Sequence, residues 1–313
     1  METLSDPARR LRRQFDEMAV THREPLWRFC LKLTGSPWEA EDLVQETLLR
    51  AFARLSLSWQ PIEPRAYLFR TASNVWIDQW RRQGRWVALD ELPREPAAPD
   101  AIDPLEAADA MAAVVECLSA PQRVVFLLTE AFGFAHAEVA AMLGISAGAV
   151  KALRYRARVS LSAVGRDGSA GGAAANAGPR SPLLDRYVEA FNRRDVEGIV
   201  ALLDPDAVND IVGVAEERGA EIQRRNSLAE WAADPRPTRA EVREVFGRHL
   251  VLVFETPDEG ADALSWFVDA STAGGRIVSQ RLYCYCPELL RMVGAEIGCP
   301  VRTRGYWYEP SPA

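Results

Sequence analysis

With 313 residues, of which 48% are hydrophobic and 26% charged, the chain has the composition of soluble globular proteins and the length of two or three domains, which excludes a fibrous repeat or a wholly disordered polymer. No apolar run approaches the ~20 residues that cross a bilayer, and the opening METLSDPARRLRRQFDE has no apolar stretch of signal-peptide type, so a cytoplasmic protein without a membrane partner is expected. The net charge of −7 would argue against nucleic acid if it were evenly spread, but residues 1–86 carry +3, 87–109 carry −6, 110–164 carry +2 and 180–313 carry −6, the pattern of a basic working part with acidic appendages.

From the N-terminus, apolar residues recur at three- and four-residue steps over 7–86, as in Leu43, Val44, Leu48, Ala51 and Phe52, which predicts helices. Gly35 to Pro37 marks one break and Pro61 to Pro64 another, after which Arg65–Arg82 reads as one long helix. Asp42, Gln45, Glu46 and Leu49 fall off the apolar stripe and offer a mixed acidic and apolar patch to a basic partner. Along the long helix, Asn74, Trp80, Arg81 and Arg82, followed by Arg85, supply the amide, aromatic and cationic groups that capture unstacked bases and track a nucleic-acid backbone. Tyr67, Phe69 and Trp76 read as at least partly core. Residues 88–104, rich in proline and acid, form a linker between a module at 1–87 and a second at 105–164.

In the second module, residues 135–161 read as helix, tight turn, helix, with Gly144 suited to a positive φ at the turn and Ser146 to the N-cap of the second helix. Val150, Leu153, Ala157 and Leu161 share one face of that helix, while Lys151, Arg154 and Arg158 form a cationic stripe on another. Such a stripe, with Ser146 and Ala147 at the N-terminal end, suits a recognition helix in a major groove. A basic surface helix in an ordinary bundle is the blander reading.

The stretch Leu118 to Arg123, then Val125–Leu127, Glu138–Ala140, Leu143–Gly144, Val150–Lys151 and Arg156–Arg158 resembles region 4 of extracytoplasmic-function (ECF) sigma factors. Trp38–Phe52 and Pro64–Arg82 resemble region 2 of the same family. The resemblance implies two all-α domains, a region 2 helical bundle and a region 4 helix-turn-helix, and a transcription initiation factor that performs no catalysis and needs no cofactor or metal. Its implied partners are core RNA polymerase and promoter DNA. Asp42, Gln45, Glu46 and Leu49 would then meet the β′ clamp helices, and region 4 the β flap. Asn74, Trp80, Arg81, Arg82 and Arg85 would serve the −10 element, with 56–63 as the base-capture loop. Ser146, Ala147, Lys151, Arg154 and Arg158 would serve the −35 element, and the acidic linker would thread polymerase channels that otherwise hold nucleic acid.

Residues 165–180, rich in glycine, alanine and serine, read as a flexible tether. Beyond it, helices near Leu183–Phe191 and Val196–Leu203 give way to strand-like runs at His249–Phe254 and Ser265–Val268, so 181–313 is expected to be α+β. Leu183 to Ala207 resembles the opening of SnoaL-like domains of the ketosteroid-isomerase-like superfamily, cone-shaped folds in which helices close a curved sheet over an apolar cavity. Proton-transfer chemistry in such a cavity would draw on Asp206, Asp210, His249, Asp262 or Asp269. A regulatory role fits the architecture better, and a small molecule binding the pocket would shift the population of promoter-competent protein. Five cysteines without CxxC pairs suggest reduced thiols. Cys284 and Cys286, expected on one face of a strand, read with Cys299 as packing rather than as a redox sensor. The alternative to a sigma factor is a ligand-responsive helix-turn-helix regulator, or an enzyme with a ketosteroid-isomerase-like pocket, neither of which needs a polymerase-docking helix.

Overall fold

The computed structural model describes residues 5–55, 63–82, 117–164, 179–256 and 260–306. The chain forms two compact units, Met1–Gly172 and Ala173–Ala313.

In the first unit, α1 (Ser5–Thr34), α2 (Pro37–Leu55) and α3 (Pro64–Arg82) are followed by α4 (Ala120–Phe126), which widens into a π-helical turn at Leu127–Ala131, then by α5 (His136–Leu143) and α6 (Ala147–Val164). Local chemistry sets the breaks. Gly35 takes φ 75° at the end of α1, and the Glu63 carboxylate accepts from the amides of Arg65 and Ala66 at the start of α3, pairing backbone donors that a helix N-terminus leaves open. Leu26, Phe29 and Leu33 of α1, Leu43 and Val44 of α2, and Leu68 and Phe69 of α3 are fully buried.

The helices after residue 117 join this same core. Phe29 stacks on Phe69 at 4.9 Å, Phe132 lies edge-on to both at 5.3 and 5.0 Å, and Phe134 lies 5.4 Å from Phe69; aromatic contacts of this kind add to the burial of the rings. Arg65 donates to the Phe132 carbonyl and holds its guanidinium 4.3 Å from the Phe134 ring centroid. Arg123, 3% exposed, donates to the Leu33 carbonyl at 2.6 Å. Burial draws its guanidinium down to about 10, the direction expected for a cation removed from water.

In the second unit, α7 (Pro182–Asn192) and α8 (Val196–Val200) precede β1 (Leu203–Ile211), β2 (Ala215–Arg218), α9 (Ala220–Arg225), α10 (Ser227–Ala233), β3 (Thr238–Val245), β4 (Arg248–Glu255), β5 (Ala263–Ala273), β6 (Arg276–Tyr283) and α11 (Pro287–Glu296). The six strands form one sheet in the order β2-β1-β6-β5-β4-β3. Among the named strands β1 and β6 pair parallel and the other neighbours antiparallel, with a further parallel bridge between Leu264 and Val301. The strand-like runs at 249–254 and 265–268 lie within β4 and β5, and the unit is α+β with helices over a sheet, as the SnoaL-like resemblance implies. The predicted helix at Val196–Leu203 is shorter than expected: it ends at Val200, and Leu203 opens β1.

On one side of the sheet, Leu184, Tyr187 and Phe191 of α7 share a core with Val251, Val253, Trp266 and Val268. Leu250, Leu252 and Phe267 are buried as well, so β4 and the first half of β5 are covered on both faces and read as continuous apolar runs. Asn192 fastens α7 to β3, donating to the Ala240 carbonyl and accepting from its amide at 3.0 and 2.7 Å. Arg194 adopts a left-handed backbone, φ 54°, and its guanidinium donates to the carbonyls of Trp231, Asp234 and Arg236, contacts that offset the cost of that conformation.

Candidate polymerase and promoter interface

On α2, burial of Trp38, Leu43, Val44, Leu48 and Ala51 turns the opposite face outward. Leu49 stands 66% exposed there, and Asp42 is exposed beside it. Glu46 is half-buried and pairs with Arg50 at 2.5 Å. Gln45 donates to Glu41 Oε1 at 2.7 Å, and the same oxygen lies 2.5 Å from Arg23 Nη2, with both charged side chains buried. The buried ion pair therefore sets the orientation of Gln45, one residue of the outer patch.

On α3, Asn74, Arg81 and Arg82 are exposed. Arg81 lies 3.6 Å from Asp78, and Arg82 Nε donates to the Asp78 carbonyl. Trp80 differs from these: it is half-buried, its ring 5.4 Å from Trp76, with the Arg123 guanidinium 5.2 and 5.6 Å from the two ring centroids. Phe69 and Trp76 are buried and Tyr67 is half-buried. Arg85 and the loop over 56–62 lie outside the described residues. Asn74 and Arg81 line a cleft of about 970 Å3 together with Arg50, Arg54 and Arg70, the acids Glu63, Asp78 and Glu138, and Met142 of α5. The grouping of these arginines, drawn from two helices, was not visible in the spacing of either one.

The helix-turn-helix forms as its local signals indicate. Gly144 caps α5 with φ 67°, and Ser146 Oγ accepts from the Ala149 amide at 3.1 Å at the start of α6, the N-cap contact expected of a serine there. Val150, Leu153 and Ala157 are buried, whereas Leu161 is only half-buried. Ser146, Ala147 and Lys151 are exposed. Arg154 and Arg158 are not free in the same way. The Glu130 carboxylate, carried on the π-helical turn, accepts from Arg154 Nε and lies 2.9 Å from Arg158 Nη2 through each of its oxygens. Arg154 Nη1 also lies 3.2 Å from His136 Nε2. Partial burial opposes ionisation of Glu130, but the two guanidiniums outweigh it and hold the carboxyl below the usual range. Glu130 is separated by 24 and 28 residues from its partners, so no local spacing pointed to it.

In the second unit, a cavity of about 1570 Å3 opens beside Trp231, Trp266 and Tyr285. The acids and histidine expected for proton transfer do not line it. Asp210 pairs with Arg281 at 3.0 Å, Asp262 with Arg239 at 3.0 Å and Asp269 with Arg248, while Asp206 is exposed and His249 half-buried. The buried carboxylates at the cavity are instead Glu217 and Glu255. Glu217 accepts from Asn209 Nδ2 and Ser227 Oγ at 2.8 and 2.6 Å. Cys284 and Cys286 sit not on a strand but in the bend after β6, Cys286 at the N-cap of α11. Burial pushes the Cys284 thiol up to about 12, which leaves little reactive thiolate at neutral pH. Among the described residues no cluster of histidine, cysteine and carboxylate side chains has the makings of a metal site, and no helix is long and apolar enough to cross a membrane.

Comparison with known proteins fits this geometry. The Sigma-70 region 2 family matches residues 18–85, which include α2 and α3, and the Sigma-70, region 4 family matches 108–161, which include the helix-turn-helix. ECF RNA polymerase sigma factor SigG of Mycobacterium tuberculosis is 31% identical over 232 residues, covering 65% of this chain; the match spans 62% of SigG's own length. ECF RNA polymerase sigma factor SigL of the same organism is 39% identical over 159 residues, covering 47% of this chain and 85% of SigL. Among solved structures, Mycobacterium tuberculosis extracytoplasmic function sigma factor SigJ aligns over 92% of this chain and 99% of its own, at 22% identity and a TM-score of 0.32. With both sigma regions matched in order, and SigL covered over most of its length, the chain belongs to the ECF RNA polymerase sigma factors.

Proposed function

We propose that the chain binds core RNA polymerase, directs it to promoters with −35 and −10 elements and starts transcription there in the cytoplasm, its own part being binding and positioning rather than catalysis. The observation that carries this reading is the outer face of α2, where a leucine 66% exposed sits among Asp42, Gln45 and Glu46. An apolar anchor flanked by the carboxylates of Asp42 and Glu46 suits a basic docking surface such as the β′ clamp helices, with α6 and its neighbours meeting the β flap. The exposed Asn74, Arg81 and Arg82, with Arg85 beyond them and Trp80 as a packed neighbour, act on the −10 element. Ser146, Ala147 and Lys151, with Arg154 and Arg158, act on the −35 element. A stand-alone helix-turn-helix regulator would have no use for the α2 patch.

Transcription from a promoter library with purified core polymerase tests this directly. The chain is expected to yield specific transcripts. Leu49→Asp is expected to weaken core binding at least about tenfold, since removing a central apolar anchor costs about 2 kcal/mol or more, with no change in thermal stability, because the side chain is not part of the core. Wild-type output no better than core polymerase alone overturns the proposal.

The C-terminal unit is proposed to modulate this activity, with a small molecule in its cavity as the signal. Removing residues 181–313 is expected to change promoter output severalfold with promoter choice intact. Identical output from the shortened and full chains would remove the regulatory role and leave the sigma role standing.

A further inference from the structure

One wall of the C-terminal cavity is built from three arginines that converge on a single carboxylate. Glu255 is 5% exposed. Arg302 Nη1 lies 3.0 Å from it, Arg304 Nη2 3.5 Å and Arg236 Nη1 3.7 Å, and the Ser265 hydroxyl donates to it at 2.9 Å. Asp234 takes up the rest of Arg236 through contacts of 2.5 to 3.0 Å. Three guanidinium groups thus share two carboxylates on this wall, while Glu217 and Glu230 line the cavity elsewhere. The other arginines at the cavity are committed elsewhere: Arg194 to backbone carbonyls and Arg225 to Glu221.

Unmet hydrogen bonding points the same way. Among the residues lining the cavity, the buried side-chain atoms without a protein partner are Arg304 Nε and Trp231 Nε1. Both can only donate, so the cavity calls for acceptor oxygens. The lining also carries flat aromatic surface, with the Arg194 guanidinium 5.7 Å from the Trp231 ring centroid. Trp266 is buried, and Trp231 is fixed from behind by Phe191, stacked at 4.5 Å and 29°.

We infer that this cavity binds a small organic anion with a flat apolar body, its carboxylate- or sulfonate-type oxygens taken by Arg302 and Arg304 and its body lying along Trp231 and Trp266. The inference rests on the reading of the C-terminal unit as a ligand-responsive module and specifies its ligand class. Charge-assisted hydrogen bonds to a partly buried guanidinium supply the selectivity, and the size of the cavity leaves room for a body of two or more fused rings.

Two fluorescent probes that differ by one sulfonate, 1-anilinonaphthalene-8-sulfonate and the neutral N-phenyl-1-naphthylamine, test this on the full chain. The wild type is expected to bind the sulfonate saturably and about tenfold more tightly than the neutral probe. Arg304→Gln and Arg302→Gln are each expected to remove most of that preference while leaving the neutral probe unaffected. Arg302 is more than half exposed, so its variant keeps the test valid if Arg304→Gln unfolds. Equal affinities for the two probes in the wild type overturn the anion assignment but leave a cavity for neutral ligands. Absence of saturable binding by either probe overturns the ligand reading itself. A sulfonate preference unchanged in both variants places the charge recognition elsewhere and also overturns the inference.

Discussion

Glu41→Gln is expected to destabilise the N-terminal unit by about 3–5 kcal/mol, the usual cost of breaking a buried ion pair from one side. Arg23 and Glu41 are 3% and 0% exposed at the side chain and lie 2.5 Å apart between α1 and α2. Both are buried, so the amide leaves a buried guanidinium facing a neutral group in place of its carboxylate. Pairing the change with Arg23→Met, which removes the stranded charge, is expected to recover most of the loss or more. Urea unfolding of the two variants provides the measurement. A loss under about 1 kcal/mol for the single variant, the range of solvent-exposed pairs, would show that water reaches this pair. Since Gln45 donates to Glu41 Oε1, the same substitution should also weaken core-polymerase binding beyond what the lost stability explains.

The second large effect concerns the helix-turn-helix. Glu130→Gln is expected to strengthen binding of the chain to a duplex carrying its −35 sequence and to steepen the salt dependence. At present one carboxylate engages both Arg154 and Arg158, leaving Lys151 as the exposed cation of the expected stripe. Each additional phosphate contact adds about 0.9 to the slope of log affinity against log salt, so two released arginines add about 1.8, or about a tenfold larger change between 50 and 200 mM salt. The cost in folding stability should stay at about 1 kcal/mol, because the three side chains keep 19 to 30% of their surface in water. Fluorescence anisotropy over a salt series reads this directly. Weaker binding with an unchanged slope would instead make Glu130 a positioning residue that presents the arginines to DNA.

Much of this protein was legible in its sequence because the deciding forces act within a few residues. A glycine that tolerates positive φ at 144, a serine that caps at 146, a proline that opens a helix at 64, and apolar residues at helical steps each report a local constraint. Together they delimit α3, α5 and α6 to within about three residues. The strand-like runs in β4 and β5 were legible for the same reason, since each is apolar on both faces. The motifs of the two sigma regions were equally local, and they carried the family resemblance.

What the sequence left undecided is where long-range partners meet. Asp210 and Asp269 look like free carboxylates in a linear chain. Parallel pairing of β1 with β6 brings Asp210 opposite Arg281, and Asp269 meets Arg248 of the neighbouring β4, so both are used in ion pairs. Arg154 and Arg158 share a cationic stripe by helical geometry, and only the π-helical turn delivers the Glu130 carboxylate that pairs with both. Phe29, Phe69, Phe132 and Phe134 join one aromatic core although more than a hundred residues separate the first from the last. Helical and strand periodicity is fixed by backbone geometry over three or four residues, and the sequence alone determined it here. The ion pairing of the cationic stripe on α6, and the meeting of Arg302 and Arg304 with Glu255, depend on which surfaces pack together, and the tertiary structure alone decided those.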